Sequence, residues 1–374
     1  MSRSAMALAD RLRRRIAAEG PLSVADVMAA ALVDPEHGYY TTRDPFGAAG
    51  DFVTAPEISQ TFGELIGLWA AVVWQGMGAP DPVSLVELGP GRGTLMADAL
   101  RAARGVPAFR AALRVHLVEA SPVLRRRQAE ALRDAAPVGA SPVWHDALDS
   151  LPDGPSIVIA NEFFDALPIV QLVRDGRVWR ERRVAVDPAG GGFVWTLTPG
   201  ASPHAALLAP AIRDAAPDGA LAEICPTGLS VARTLAERVA RGGGAVLAID
   251  YGHAPSGVGD TLQAVKGHRP VGVLDTLGEA DLTAHVDFAA LGRAVVQAGA
   301  AQHGPVTQGD FLRRLGIEAR AEALCRNAAE HQRATIRSGC TRLIDPDEMG
   351  TLFKAVAWTP AAAPPPPGFE RPDA

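Results

Sequence analysis

The sequence contains few cysteines and no long hydrophobic run, and both scarcities exclude whole classes of protein. Its cysteines, Cys225, Cys325 and Cys340, are too few and too widely spaced for a disulfide framework or a CxxC metal knuckle, which indicates a reducing compartment. No apolar run approaches the ~20 residues that span a bilayer. We therefore predict neither membrane insertion nor a metal site.

An excess of positive charge is also absent. The chain carries 36 Lys and Arg against 42 Asp and Glu, a net charge of -6, which argues against a nucleic-acid partner. Because 48% of its 374 residues are hydrophobic and 21% are charged, the chain is globular rather than disordered. Its length predicts one large α/β domain with insertions, or two domains.

The N-terminus lacks the apolar core of a secretory signal. Its Arg-rich stretch imitates a mitochondrial transit peptide, but Leu8, Leu12 and Ile16 recur at helical spacing and predict a folded helix. We therefore predict a cytoplasmic, bacterial-like location, with the mitochondrial matrix as the alternative if the source is a eukaryote.

From residue 83 onward, short β-rich runs alternate with helical stretches, a pattern typical of a parallel sheet with helices on both faces. The principal strands are predicted at 83–88, 115–120, 156–161 and 244–250. A small antiparallel insertion is predicted at about 169–200. Two late strands, at 261–265 and 303–308, resemble the antiparallel closing pair of a seven-stranded sheet, and KAVAW at 354–358 is a further candidate strand.

These elements predict a linear domain organisation. It comprises a helical N-terminal cap or lid region over 1–80, a sheet core over 81–310, a helical C-terminal region over 311–359 and a disordered, Pro-rich tail over 360–374.

The first predicted strand runs through Glu87 straight into Gly89, Gly91 and Gly93 and then into a helix. Such glycines let the backbone turn tightly around a ligand. A dinucleotide fingerprint would require glycine at position 94, where the chain has Thr94, and a pyrophosphate would be repelled by a carboxylate close by. The cationic, phosphate-free S-adenosylmethionine accommodates that acid, so the turn favours the methyl donor over a nicotinamide cofactor.

Acids follow the next two strands. Glu119 ends the second strand, where a carboxylate can accept both ribose hydroxyls, a device that nicotinamide enzymes share. Asp146, after the third strand, is a candidate acceptor for the adenine amino group, with an ordinary helix cap or loop acid as the alternative.

The fourth strand ends in Asn161, Glu162 and Asp165, three acceptors within five residues. Reacting groups in a doubly wound sheet sit at the carboxyl ends of its strands. Amide and carboxylate oxygens there can hold the N–H groups of an amine or guanidine nucleophile in line with the methyl group. The alternative is structural, with Asp165 as a helix cap and Glu162 exposed.

Six blocks in this order resemble the MidA-like protein arginine methyltransferases, a family that includes the mitochondrial complex I assembly methyltransferase. The blocks are GYY (38–40), FGAAGDFVTAPEISQTFGELIGLW (46–69), ELGPGRGTL (87–95), NEFFDALP (161–168), DYGH (250–253) and DLTAHVDF (281–288).

The resemblance implies a seven-stranded class I (Rossmann-like) methyltransferase fold, S-adenosylmethionine as cofactor and, as partner, a protein substrate: an arginine of a core subunit of respiratory complex I. It carries the cofactor role onto the three glycines and Glu119, and it places PEISQ (56–60) near the cofactor. Asp51, Thr54 and Glu57 are the predicted lid or substrate-proximal residues. A Gly-rich loop followed by an amphipathic helix can close on a site, so we predict a lid there. The alternatives are a nicotinamide-dependent oxidoreductase and a non-catalytic assembly chaperone on the same fold.

Overall fold

A computed structural model describes residues 3–42, 53–136 and 141–370 of the chain. Its backbone contacts divide the chain into two interleaved units, unlike the linear domains predicted from the sequence. The sheet unit comprises 53–163, 232–252 and 292 to the C-terminus, and the insertion unit comprises the residues before 53 together with 164–231 and 253–291. Each unit is described by itself.

The strands and helices of the described residues are numbered in chain order. The strands are β1 (Leu22–Ser23), β2 (Val83–Leu88), β3 (Leu113–Val118), β4 (Val143–His145), β5 (Ser156–Asn161), β6 (Val170–Asp175), β7 (Val178–Val186), β8 (Phe193–Leu197), β9 (Leu221–Ile224), β10 (Gly244–His253), β11 (Gln263–Lys266), β12 (Arg269–Val271), β13 (Asp281–Thr283), β14 (Val286–Asp287), β15 (Ala300–Thr307) and β16 (Phe353–Pro360). The helices are α1 (Arg3–Glu19), α2 (Val24–Val33), α3 (Tyr39–Thr42), α4 (Ala55–Ile58), α5 (Gln60–Gly76), α6 (Thr94–Ala102), α7 (Pro107–Ala112), α8 (Pro122–Leu132), α9 (Pro210–Ala215), α10 (Pro226–Gly242), α11 (Phe288–Gln297), α12 (Gln308–Arg314), α13 (Ile317–Arg326), α14 (Glu330–Ile344) and α15 (Met349–Leu352).

The sheet unit is built on seven strands in the order β4-β3-β2-β5-β10-β16-β15. The first five run parallel, and β16 lies antiparallel to both β10 and β15. Strand β5 is buried along its whole length, as a strand covered on both faces must be, which explains its nearly continuous apolar sequence. This arrangement confirms the predicted seven-stranded α/β fold.

The closing pair of the sheet differs from the prediction. β15 pairs with β16, which contains KAVAW, whereas residues 263–266 form β11 of a separate three-stranded sheet with β12 and β13 in the insertion unit. The predicted strand at 261–265 is therefore present, but its predicted pairing partner is wrong. The pairing of a strand depends on contacts between residues far apart in the sequence, which a local pattern does not reveal.

Helix α5 packs into the core of the sheet unit. Phe62, Ile66 and Trp69 recur at helical spacing and are at most 1% exposed, as the amphipathic pattern predicts. Ser59 has extended backbone and separates α4 from α5.

The insertion unit contains the predicted antiparallel strands. β6, β7 and β8 pair consecutively, and β1 and β9 extend the same sheet. Leu8 and Leu12 of α1 are buried in this unit beside Leu32, which confirms the predicted N-terminal helix.

The end of the chain packs against the sheet unit as far as it is described. Phe369 is 6% exposed and stacks on Phe311, and the Trp69 indole donates a hydrogen bond to the Pro367 carbonyl. The prediction of a disordered tail is therefore wrong for residues up to 370, because Phe369, the apolar residue after the prolines, is buried. In the described part of the chain, no helix is both long and apolar enough to cross a membrane.

Candidate cofactor and acceptor site

The glycine turn joins β2 to α6 with left-handed backbone at Gly89, Gly91 and Gly93, whose φ angles are 58°, 52° and 84°. A Cβ at Gly89 would lie 3.2 Å from Cδ2 of Phe163, and one at Gly93 would lie 3.2 Å from Cα of Gln128. Glycine is therefore required here both for its conformation and for its lack of a side chain.

Glu87 lies one residue before the end of β2 and is 3% exposed. Its carboxylate accepts a hydrogen bond from the Met96 backbone, yet burial dominates and raises the pKa of Glu87 to about 8. Its Oε2 atom has no hydrogen-bond partner among the described residues. A buried acceptor of this kind is suited to a ligand cation, which would stabilise the ionised form.

Glu119 follows β3 and is held from two sides. Its Oε1 accepts from the Ser121 amide at 2.7 Å, and its Oε2 accepts from Nε2 of Gln128 at 3.2 Å. Burial raises the pKa of Glu119, and these two donors oppose that effect. The carboxylate thus lies at the carboxyl end of the strand next to the glycine turn, as predicted.

Asp146 is placed less favourably for a cofactor role. Its side chain is 88% exposed and pairs with Arg125 at 2.5 Å. Arg125 also donates to the backbone carbonyl of Glu119 at 2.6 Å. Contact of Asp146 with an adenine stays a prediction, since Arg125 holds the carboxylate in this structure.

The first turn after the predicted lid loop contacts the glycine turn. Oε1 of Glu57 accepts from the Thr94 hydroxyl at 2.5 Å, and its Oε2 lies 3.7 Å from an Arg92 guanidinium nitrogen. The Thr54 carbonyl accepts a hydrogen bond from the Glu57 amide, and α4 begins at the residue after Thr54. Asp51 lies outside the described residues. Glu57 therefore links α4 to the cofactor turn, whereas closure as a lid stays a prediction.

Asn161 and Glu162 lie at the end of β5, the strand beside the glycine turn. Leu88 pairs with Ala160 in parallel register, and Gly89 and Asn161 are the residues that follow this pair along the two neighbouring strands. Asn161 is 8% exposed and its Oδ1 has no hydrogen-bond partner within the described ranges.

Glu162 has left-handed backbone, with φ at 49°. A non-glycine residue in this region costs about 1–3 kcal/mol and is typical of functional sites. Its Oε1 accepts from the Ala55 amide at 2.9 Å and from Nδ2 of Asn161 at 3.2 Å. The structural alternative of an exposed Glu162 is wrong, because its carboxylate is fixed by neighbouring donors.

A residue that the sequence had not marked, Asp250, supports this turn. It is fully buried at the end of β10 and accepts the amides of Phe163 and Tyr251 at 3.2 and 3.0 Å. The DYGH block thus fixes the backbone directly after Glu162, a role that the sequence alone does not reveal because the two segments are 87 residues apart.

Asp165 belongs to the insertion unit, where it is 7% exposed. Its backbone carbonyl accepts the Ala284 amide at 3.0 Å. Burial, then the charge of Asp281 and that of Asp165, raise the pKa of Tyr40, whose hydroxyl donates to Asp281 at 2.7 Å. Three of the sequence blocks, GYY, NEFFDALP and DLTAHVDF, therefore meet around Asp165.

Comparisons with known proteins bear on this arrangement. Residues 65–306 match the family model Methyltransf_28, which describes S-adenosyl-L-methionine-dependent methyltransferases. The mitochondrial protein arginine methyltransferase NDUFAF7 homolog of Drosophila melanogaster is 41% identical over 94% of this chain and 85% of its own length. The human mitochondrial protein arginine methyltransferase NDUFAF7 is 37% identical over 93% and 82%, respectively.

A solved structure shares the whole architecture. A protein from Burkholderia thailandensis, crystallised with S-adenosyl-homocysteine, aligns over 98% of this chain and 94% of its own with a TM-score of 0.83 and 32% identity. The curated relatives are named as mitochondrial, so these comparisons do not support the predicted cytoplasmic location.

Proposed function

Because the chain belongs to the family of S-adenosyl-L-methionine-dependent methyltransferases, we propose that it methylates an arginine of a core subunit of respiratory complex I. The observation that carries this proposal is the position of Asn161 and Glu162 beside the glycine turn, on the neighbouring parallel strand. Family membership sets aside the nicotinamide-dependent alternative.

The residues at the end of β2 and β3 fit S-adenosylmethionine. The buried Oε2 of Glu87, which has no hydrogen-bond partner in the described part of the chain, suits a ligand ammonium group, and the carboxylate of Glu119 suits the ribose hydroxyls. The left-handed backbone at the three glycines forms the tight turn that lets the main chain approach a ligand closely. When bound, the cofactor supplies an activated methyl group on a cationic sulfur.

Glu162 and Asn161 would orient the guanidinium. Arginine is protonated at any ordinary pH, with a pKa above ~12, so its charge must be drawn away from the attacking nitrogen. A carboxylate that binds the other N–H groups does this and fixes the direction of attack. The attacking nitrogen forms the new bond to the methyl carbon as the bond from that carbon to sulfur breaks, and it gives up one proton to a nearby carboxylate or to water. The strained backbone of Glu162 and its two donors hold the carboxylate in one place, and Oδ1 of Asn161 offers a neutral acceptor beside it.

Asp165 is a separate proposal. It is a buried carboxylate within the same sequence block, and its contribution to turnover is to be measured with its own variant. We further propose that, in a eukaryote, the chain acts in the mitochondrial matrix.

The proposal is tested by incubating the purified chain with methyl-tritiated S-adenosylmethionine and isolated complex I core subunits. Tritium is expected in methylarginine after hydrolysis. Tritium in methyllysine would overturn the substrate class. Binding of S-adenosyl-homocysteine without any transfer would favour the non-catalytic assembly chaperone.

A further inference from the structure

The side chain of Gln128 connects three parts of the proposed cofactor site. It projects from α8 and is completely buried. Its Nε2 donates to the Gly91 carbonyl at 2.8 Å and to Oε2 of Glu119 at 3.2 Å, and its Oε1 accepts from the Trp144 indole at 2.8 Å. Both ends of one amide are therefore used.

The Trp144 contact determines which way the amide points. An indole nitrogen can only donate, so it selects the Gln128 oxygen and turns the amide nitrogen towards the glycine turn and Glu119. Both remaining hydrogens of that nitrogen then reach acceptors. Because burial makes each unsatisfied polar group costly, this orientation is strongly preferred.

Gln128 also sets the fit of the glycine turn. Gly93 approaches so closely that an added Cβ would lie 3.2 Å from Cα and 3.4 Å from Cγ of Gln128. The residue thus contacts the turn through both its backbone and its amide.

We infer that Gln128 is a positioning residue that holds the glycine turn and the Glu119 carboxylate in the geometry needed for the cofactor. It acts through these groups, with the indole of Trp144 fixing its orientation. This inference rests on the cofactor site proposed above. A glutamine on an Arg-rich helix would ordinarily be solvent-exposed, whereas this one is fully buried.

The role of Gln128 is tested by measuring the affinity of variants for S-adenosyl-homocysteine by calorimetry. Gln128→Met keeps the volume but leaves the Trp144 donor and the Gly91 acceptor unsatisfied, and is expected to weaken binding about tenfold or more. Trp144→Phe removes only the orienting donor and is expected to cause a smaller loss. Gln308→Met is the matched control, since Gln308 is equally buried but donates to the Leu343 carbonyl, away from the glycine turn.

The pH dependence separates positioning from simple packing. The Gln128 amide favours the ionised form of Glu119, so Gln128→Met raises the pKa of Glu119 and the loss of binding on acidification should begin at a higher pH than in the wild type. The Ser121 amide and Arg125 also face Glu119, Arg125 is paired with Asp146, and all three stay unchanged in the variant.

The two hypotheses fail in different ways. If the wild type does not bind S-adenosyl-homocysteine, the proposed cofactor site is wrong. If the wild type binds and folded Gln128→Met binds with equal affinity and a parallel pH profile, the cofactor site stands and the role of Gln128 is refuted. A similar loss in Gln308→Met would also refute it, because the effect would then be one of general stability.

Discussion

A comparison of two glycines tests the architecture of the cofactor turn. Gly93 and Gly78 have nearly identical left-handed backbone, with φ at 84° and 83°. A Cβ at Gly93 would lie 3.2 Å from Gln128, whereas one at Gly78 would meet no atom of the described residues within 4 Å. Alanine at either position therefore adds the same backbone strain, but only Gly93→Ala adds a collision.

The left-handed conformation costs alanine about 1–2 kcal/mol, so both variants should lose roughly this much free energy of unfolding. Gly93→Ala must also displace α8 or the turn by a few tenths of an ångström, which disturbs the contacts of Gln128 with Gly91 and Glu119. We expect Gly78→Ala to bind S-adenosyl-homocysteine as the wild type does, and Gly93→Ala to bind it at least about tenfold more weakly, a difference of about 1.4 kcal/mol.

Urea denaturation gives the loss of stability, and calorimetry gives the affinity. Wild-type affinity in both folded variants would refute the reasoning that the turn must fit closely against α8. Equal loss of affinity in both would show that overall destabilisation, rather than the local collision, controls binding.

Three further predictions concern the same site. Glu162→Gln should keep its affinity for S-adenosyl-homocysteine and lose about 10²-fold in turnover, about 2.7 kcal/mol. Lost cofactor binding with unchanged turnover at saturation would make Glu162 a cofactor ligand instead. Asp165→Asn should lose turnover if its carboxylate serves the substrate. Because the pKa of Glu87 is about 8, the free protein holds that proton at pH 6.5, and binding of the cofactor ammonium should release it; calorimetry in buffers of different ionisation enthalpy should detect up to one proton in the wild type and none in Glu87→Gln. Hydrogen exchange over residues 55–69 should slow when the cofactor binds, and unchanged protection would leave α4 and α5 as core packing only.

The same pKa has a consequence for stability. The pKa of Glu87 in the folded protein is raised above that of an ordinary carboxyl group, so its contribution is fully present at low pH and is lost as the pH rises through about 8. A ligand ammonium group beside Glu87 would reverse this trend, which explains why a destabilising buried acid can be retained in a binding site.

The strands next to the site were predictable from the sequence. β2 and β5 have the predicted bounds, because each is a short apolar run limited by loop residues on both sides. The glycine turn and the acids at the strand ends followed from them, since parallel strands bring their carboxyl ends to one edge of the sheet.

The features of the site that the sequence did not predict depend on contacts between segments far apart in the chain. Gln128 reaches Gly91 across 37 residues, and Asp250 reaches Phe163 across 87. Gln128 stands in no local pattern that indicates burial, and the predicted strand 244–250 that ends at Asp250 does not indicate what this residue contacts. The pairing partner of the strand at 263–266 was predicted wrongly for the same reason, because alternation indicates a half-buried strand and does not identify the strand that pairs with it.

The most direct test of the central claim is mass spectrometry of complex I core subunits from a strain that lacks this chain, complemented either with the wild type or with Glu162→Gln. A methylated arginine is expected to disappear in the deletion strain, to return with the wild-type chain and to stay absent or strongly reduced with Glu162→Gln. An arginine that Glu162→Gln methylates to the wild-type level at the wild-type rate, or a methyl group found on lysine instead, would contradict it.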